Sequence, residues 1–178
     1  RTVHLPHDAM ILEPRCRCLN ASKSGYFPGG RYLYEKDFEI TPDQIGQYIA
    51  VVFEGVYRCA TVYVNGKKLA YHAYGYTEFT VDISDAVQAG SNHLKVDVDN
   101  SLEPNSRWYS GSGIYRPVHL VIKPKEHIQN VRVTTKSIFP AVITVTASAP
   151  AGTTVKIYEG ESLIAEGVPG DIEIPDAK

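Results

Sequence analysis

The stretch Ala60-Thr-Val-Tyr-Val-Asn-Gly-Lys-Lys-Leu-Ala-Tyr-His72 decides the fold class. From Ala60 to Val64 the residues alternate with period 2, the pattern of a strand buried on one face. Asn65-Gly66 follows, and these residue types tolerate the positive φ angles that a type I′ turn requires. Lys67 to His72 then returns as a second strand, so a two-residue antiparallel hairpin is predicted.

Working outward from the hairpin, the chain keeps reading as strands. Arg31 to Phe38 alternates, Gln47 to Phe53 is a β-branched run, and Phe79 to Val81 is short. Asn92 to Val98 alternates again after Ala89-Gly90-Ser91, and Val118 to Ile122 is a further strand. No segment carries a long 3.6 period with caps at both ends; Ser84 to Ala89 has the length of one helical turn. Many short strands between Gly, Pro and Asn turns predict an all-β chain, a β-sandwich or jelly roll.

A boundary is expected at the short polar segment Lys123-Pro-Lys-Glu126, dividing the chain into residues 1–125 and 126–178. The second part reads as strands at Ile128–Thr135, Ala141–Ala149, Thr153–Tyr158, Ser162–Glu166 and Asp171–Ile174. A closed immunoglobulin-like sandwich needs about seven strands and roughly 100 residues. The second unit is therefore expected to be unfinished, with open strand edges through which a homo-oligomer could pair.

The 178 residues are 43% hydrophobic and 21% charged, an ordinary globular composition. A net charge of −2 argues against a nucleic-acid partner. No run of about 18 apolar residues is present, so no membrane-spanning helix is expected. The N-terminus lacks both an initiator Met and an apolar leader core, which suggests a chain processed or cut from something longer. Cys16, Cys18 and Cys59 form no disulfide framework, since their number is odd and Cys16 and Cys18 flank a single residue. They are expected to be reduced, one stray bridge being the alternative. A cytoplasmic location is favoured, with a removed leader leaving a periplasmic or secreted one open.

Catalytic signatures are missing. There is no GxSxG elbow, P-loop, GxGxxG or HExxH. His4, His7 and Asp8 have the spacing of a metal corner, but a segment packing back on a sandwich explains them better. Asp97 and Asp99 lie i, i+2 on one strand face, where a cation could sit; Asx-type turn bonds at Asp99 are the preferred reading. No metal and no cofactor are expected.

The informative cluster is residues 99–116, Asp-Asn-Ser-Leu-Glu-Pro-Asn-Ser-Arg-Trp-Tyr-Ser-Gly-Ser-Gly-Ile-Tyr-Arg. A strand exits into a polar loop carrying Arg107 and Trp108, the only Trp in the chain. An aromatic face can stack on the apolar face of a pyranose while a guanidinium donates paired bonds to hydroxyls. The glycines at 111 and 113 supply a flexible backbone able to approach a ligand closely. The residues leave a second reading open, in which Trp108 plugs the end of the sandwich. Twelve Tyr against five Phe fits either a contact surface or simple β-propensity.

Eight segments resemble, in order, the N-terminal sugar-binding domain of glycoside hydrolase family 2, the β-galactosidase-like enzymes. They are Leu5-Pro-His-Asp8, Gly25-Tyr-Phe-Pro-Gly-Gly30 and Phe53-Glu-Gly-Val-Tyr57, then Val62-Tyr-Val-Asn-Gly66 and Tyr74-Gly-Tyr-Thr-Glu-Phe-Thr-Val-Asp-Ile83. Gly90-Ser-Asn-His-Leu94 with Val98-Asp-Asn100 and Arg107-Trp-Tyr-Ser-Gly-Ser-Gly-Ile-Tyr-Arg116 complete the series. The resemblance implies a galactose-binding-domain-like jelly roll in 1–125 and the beginning of an immunoglobulin-like sandwich in 126–178. It implies a parent whose TIM barrel carries two Glu for retaining hydrolysis. That barrel is not in these residues, so the chain alone is expected to be inactive, with no catalytic residue of its own. The implied partners are a carbohydrate, a β-galactoside or related glycoside, and the missing barrel. β-Glucuronidases and β-mannosidases share the family. The alternative is an independent carbohydrate-binding module. Well-known members carry an Asp where Arg107 stands, so Arg107 and Trp108 are the expected substrate-binding residues. Gly55 and Gly111 to Gly113 are expected to serve backbone geometry, and Arg116 to anchor the return strand.

Overall fold

A computed structural model describes residues 1–17, 21–102 and 105–175. Cys18 and two positions of the 99–116 loop, Glu103 and Pro104, lie outside the described residues. The chain divides into two compact units, Arg1–Lys123 and Pro124–Lys178. Among the described residues no helix is long and apolar enough to cross a membrane.

Unit 1 holds β1 (Arg31–Ile40), β2 (Tyr48–Phe53), β3 (Val56–Tyr57), β4 (Ala60–Val64), β5 (Lys67–His72), β6 (Phe79–Asp82), β7 (Gly90–Asp99), β8 (Gly113–Ile114) and β9 (Val118–Lys123). A four-stranded sheet runs β1-β7-β4-β5 and a three-stranded sheet runs β6-β2-β9. The alternation predicted for β4 places Ala60, Val62 and Val64 inside, each with no measurable exposure. They meet Ile49, Val51 and Phe53 of β2, with Val96 and Val98 of β7, in one apolar cluster between the sheets. Phe53 stacks on Phe79 at 4.8 Å and 10°. This is the all-β sandwich expected from the sequence, with polar residues outside and one core between two faces.

The hairpin is as read. Asn65 and Gly66 have φ of 50° and 80°, the type I′ requirement. Asn65 does more than turn: its Nδ2 donates to Ala86 O at 2.9 Å, and its Oδ1 accepts from His93 N at 2.9 Å. The helical turn expected over Ser84–Ala89 is a hydrogen-bonded turn instead, closed by Ala86 N on Ile83 O at 2.9 Å. The Asp82 carboxylate captures both Ser84 N (2.9 Å) and Ser84 Oγ (2.6 Å), and that local bond competes with helix propagation.

Asp97 and Asp99 are both occupied by protein. Asp97 receives Arg31 Nε at 2.8 Å and pairs with the same guanidinium through its other oxygen. Asp99 Oδ1 accepts Ser101 N at 3.0 Å and Ser101 Oγ at 2.6 Å, the Asx-type turn. Their partners, Arg31 and the Ser101 hydrogen bonds respectively, hold both carboxyls below the usual carboxylate range.

Unit 2 contains β10 (Gln129–Ser137), β11 (Val142–Ser148), β12 (Val155–Glu159), β13 (Ser162–Gly167) and β14 (Gly170–Glu173). They form a three-stranded sheet β10-β11-β14 and a two-stranded sheet β12-β13. Val145 and Ile172 are its buried apolar side chains among the described residues.

Candidate functional site

The loop that follows β7 is fixed at its base. Asn100 is buried, and its Nδ2 donates to Ser112 Oγ at 2.6 Å and Gly111 O at 3.2 Å. Its backbone N donates to Gly30 O at 2.8 Å, and its Oδ1 accepts from Asn105 Nδ2. Asn105 Oδ1 in turn accepts the hydroxyl of the buried Tyr57 at 2.8 Å.

From that anchored base the chain lifts Arg107 and Trp108 to the surface. Both are exposed, Trp108 at 58%, so the reading in which Trp108 plugs the sandwich does not hold. Ser106 Oγ bonds Trp108 O at 2.6 Å, and Trp108 Nε1 donates to Tyr76 Oη at 2.9 Å. The Trp ring is therefore oriented rather than loose.

The tyrosines beside it come from the β5–β6 connection. Tyr76 packs edge-on against Tyr57 (centroids 5.2 Å) and Tyr74 (5.7 Å). Gly75 between them lies so close to Tyr57 that a Cβ would sit 2.2 Å from that ring, and Gly75 O accepts the Tyr115 hydroxyl at 2.8 Å. Tyr74 and Tyr76 remain 59% and 45% exposed.

The far side of the loop is clamped by the N-terminal segment. Tyr109 Oη donates to Asp8 Oδ2 at 2.5 Å, while Asp8 Oδ1 accepts Ser112 N at 2.9 Å and Met10 N at 3.0 Å. His7 N donates to Ile114 O and Ala9 N to Ser112 O, each at 2.8 Å. His7 Nδ1 meets Tyr34 Oη at 2.8 Å. His7 and Asp8 thus tie a strap onto the sandwich, as the packing reading of that segment requires. Burial and the Asp8 carboxylate push the Tyr109 phenol well above its ordinary value, and burial raises Tyr32 to about 12. Both phenols stay protonated, and that of Tyr109 acts as a donor to Asp8.

One expectation is overturned. The Ser110–Gly113 run is not an open backbone facing a ligand: Gly111, Ser112 and Gly113 are buried. The glycines admit the protein's own side chains, because a Cβ on Gly113 would lie 2.1 Å from Tyr34 Oη. Gly55 has the same function against Tyr115 Cζ at 2.7 Å. Arg116 is exposed, its guanidinium 5.7 Å from the Tyr115 ring centre.

The structure therefore adds Tyr74, Tyr76, Tyr109 and Asp8 to the surroundings of Arg107 and Trp108. Chemically this surface can stack and donate hydrogen bonds. An apolar cavity of about 400 Å³ lies elsewhere, lined by Val3, Leu5, Phe38, Leu94, Val96 and Leu120. Its lining offers dispersion contacts and few polar groups.

Comparison with known proteins bears on this surface. Residues 21–124 match the family described as glycosyl hydrolases family 2, sugar binding domain. The chain is 41% identical over 123 residues to the beta-galactosidase BoGH2A of Bacteroides ovatus, covering 67% of this chain and 14% of that protein. It is 42% identical over 97 residues to a putative beta-glucuronidase of Formosa agariphila, covering 54% and 9%. A beta-glycosidase from Bacteroides vulgatus superimposes with a TM-score of 0.78 at 28% identity, covering all of this chain and 26% of that one. The chain spans less than a fifth of the length of the curated relatives it matches.

Proposed function

The chain belongs to glycosyl hydrolases family 2, as a sugar-binding domain, and from that premise we propose that it is the non-catalytic sugar-binding part of a larger retaining glycosidase acting on β-galactosides. Residues 126–178 open the immunoglobulin-like domain of that protein. A barrel beyond residue 178 supplies the acid/base and nucleophilic carboxylates. The loop at 105–109 lends Arg107 and Trp108 to the rim of the barrel's sugar pocket.

The observation that carries this reading is the contrast within the loop. Asn100, Asn105 and Ser112 lie at the loop's base, held by protein partners, whereas Arg107 and Trp108 stand exposed. A loop built with this much internal bonding presents its exposed side chains in one geometry, which lowers the entropic cost of binding. Arg107 donates to hydroxyls and cannot accept, so it replaces the recognition an Asp would give with a different one.

A second reading has its own support. A cation at the rim suits the carboxylate of a uronic acid, and a relative 42% identical over the matched part is named a putative beta-glucuronidase. One experiment separates the two. In the full-length protein, Arg107→Ala should lower kcat/KM by about 10- to 150-fold, the equivalent of a charge-assisted hydrogen bond worth about 1.5–3 kcal/mol. A larger loss on nitrophenyl β-glucuronide than on nitrophenyl β-galactoside favours the uronate reading. A loss under about twofold on both removes Arg107 from the site. The 178-residue chain should give background rates with either substrate.

A further inference from the structure

Tyr74, Tyr76 and Trp108 are exposed rings in one contiguous patch. Tyr76 joins them, packing against Tyr74 at 5.7 Å and accepting Trp108 Nε1 at 2.9 Å. Large rings exposed side by side are uncommon unless something covers them. The centre of the patch is also held in place from beneath. Tyr76 rests on the buried Tyr57, Gly75 abuts the same ring, and Tyr115 fastens Gly75 O. Rings fixed before binding lose little freedom when a flat ligand settles on them. The edge-on packing of Tyr74 and Tyr76 turns their ring faces in different directions, and the Tyr76 hydroxyl sets a polar group between the rings. This suits an apolar sugar face rimmed by hydroxyls better than a flat hydrophobic partner.

We propose that Tyr74, Tyr76 and Trp108 form a platform for an extended carbohydrate, stacking on successive pyranose rings outward from the ring held at Arg107. The inference rests on the sugar-binding reading of the loop and adds an oligosaccharide as the ligand class. Stacking depends on ring faces, so the platform accepts different hydroxyl patterns and rewards chain length. Arg107, in contrast, addresses a single ring.

The chain has one Trp, so Trp108 emission reports directly on the platform. Titration of the 178-residue chain with β-1,4-galactotetraose, cellotetraose and galactose should show both tetrasaccharides binding at least fivefold more tightly than galactose. Tyr74→Ala should remove that advantage with an unchanged melting temperature, and Tyr74→Phe, which keeps the ring, should retain it. Tetrasaccharide affinity within 1.5-fold of wild type in Tyr74→Ala overturns the platform. So does an emission spectrum that neither tetrasaccharide moves at 20 mM. The Arg107 reading is judged separately, by catalysis on nitrophenyl glycosides that carry a single sugar ring, so either idea can fail alone.

Discussion

Among the described residues, unit 1 buries sixteen apolar side chains and unit 2 buries two, Val145 and Ile172. Both units are made of antiparallel strands, but β2 of unit 1 is wholly apolar, whereas each of β10 to β14 carries polar residues. In unit 1 the buried faces of β2, β4 and β7 close on each other. In unit 2 the whole of β10 except its last residue is exposed, with Val131 at 60% and Val133 at 58%. Phe139 is 88% exposed. The difference teaches that alternation suffices to make strands, while a core needs a second apolar face of matching area.

The sharpest test compares a side chain from each core. Phe53→Ala should cost about 3–5 kcal/mol, because the ring is fully buried and stacked on Phe79. Val145→Ala should cost about 1–2 kcal/mol, two methyl-sized groups at a smaller core. Urea titration of both variants measures the gap, and equal losses would mean that unit 2 is better packed than its exposure indicates. Hydrogen exchange offers the same comparison without mutation: amides of β10 and β12 should exchange faster than those of β2, β4 and β7. Uniform protection would break the contrast.

Within unit 1 the comparison extends to its polar clamps. Asp8→Ala leaves Ser112 N and Tyr109 Oη without their acceptor. It should cost about 1–3 kcal/mol and raise the mobility of Trp108, read as lower fluorescence anisotropy. Unchanged anisotropy would detach the strap from the site. Asn65→Val removes a side chain bonded to Ala86 and His93 and places a β-branched residue at φ of 50°. A loss of about 1–3 kcal/mol is expected, with unchanged kcat/KM in the full-length protein; an altered KM at full stability would contradict the turn's distance from sugar.

The smallest effect is a pH dependence between β1 and β7. His93 Nδ1 lies 2.7 Å from Asp37 Oδ1, and Nε2 lies 3.5 Å from Glu35. The hydrogen bond to Asp37, aided by Glu35, raises the imidazole above its ordinary value of about 6.5. The folded state therefore favours the proton. The stabilisation is fully present below the unfolded value and is lost as pH rises through the folded one. Wild type should melt slightly lower at pH 8.5 than at pH 6, and His93→Gln should lose that difference. Exposure keeps the effect small.

What could be read from the sequence follows from range. The β4–β5 hairpin was legible because alternation and the Asn-Gly pair act within a dozen residues. The short strands β3 and β8 were not, since each is two residues long and exists only through the pairing of Val56 with Ile114 and Tyr57 with Gly113. Ser84 to Ala89 departs from the helical turn its length suggests because the Asp82 carboxylate outweighs helical propensity there. Arg107 and Trp108 stand out by residue type alone. Tyr76 reaches Trp108 across 32 residues and Asp8 reaches Tyr109 across 101, distances at which no local pattern speaks. The glycines follow the same rule: their close approach is evident from residue type, but the approaching groups, Tyr34 at Gly113 and Asp8 at Gly111, come from distant parts of the chain.

The strap has a consequence during synthesis. Asp8 and the Ser112 amide that it holds are separated by 104 residues. At about 5–20 residues per second, the first leaves the ribosome roughly 5–20 s before the second. His7 waits similarly for Ile114 O. Through that interval the His7–Asp8 segment has no docking surface and is open to proteolysis. A nascent chain halted before residue 112 leaves His7 and Asp8 without these partners, and one that has emerged past Ile114 supplies them.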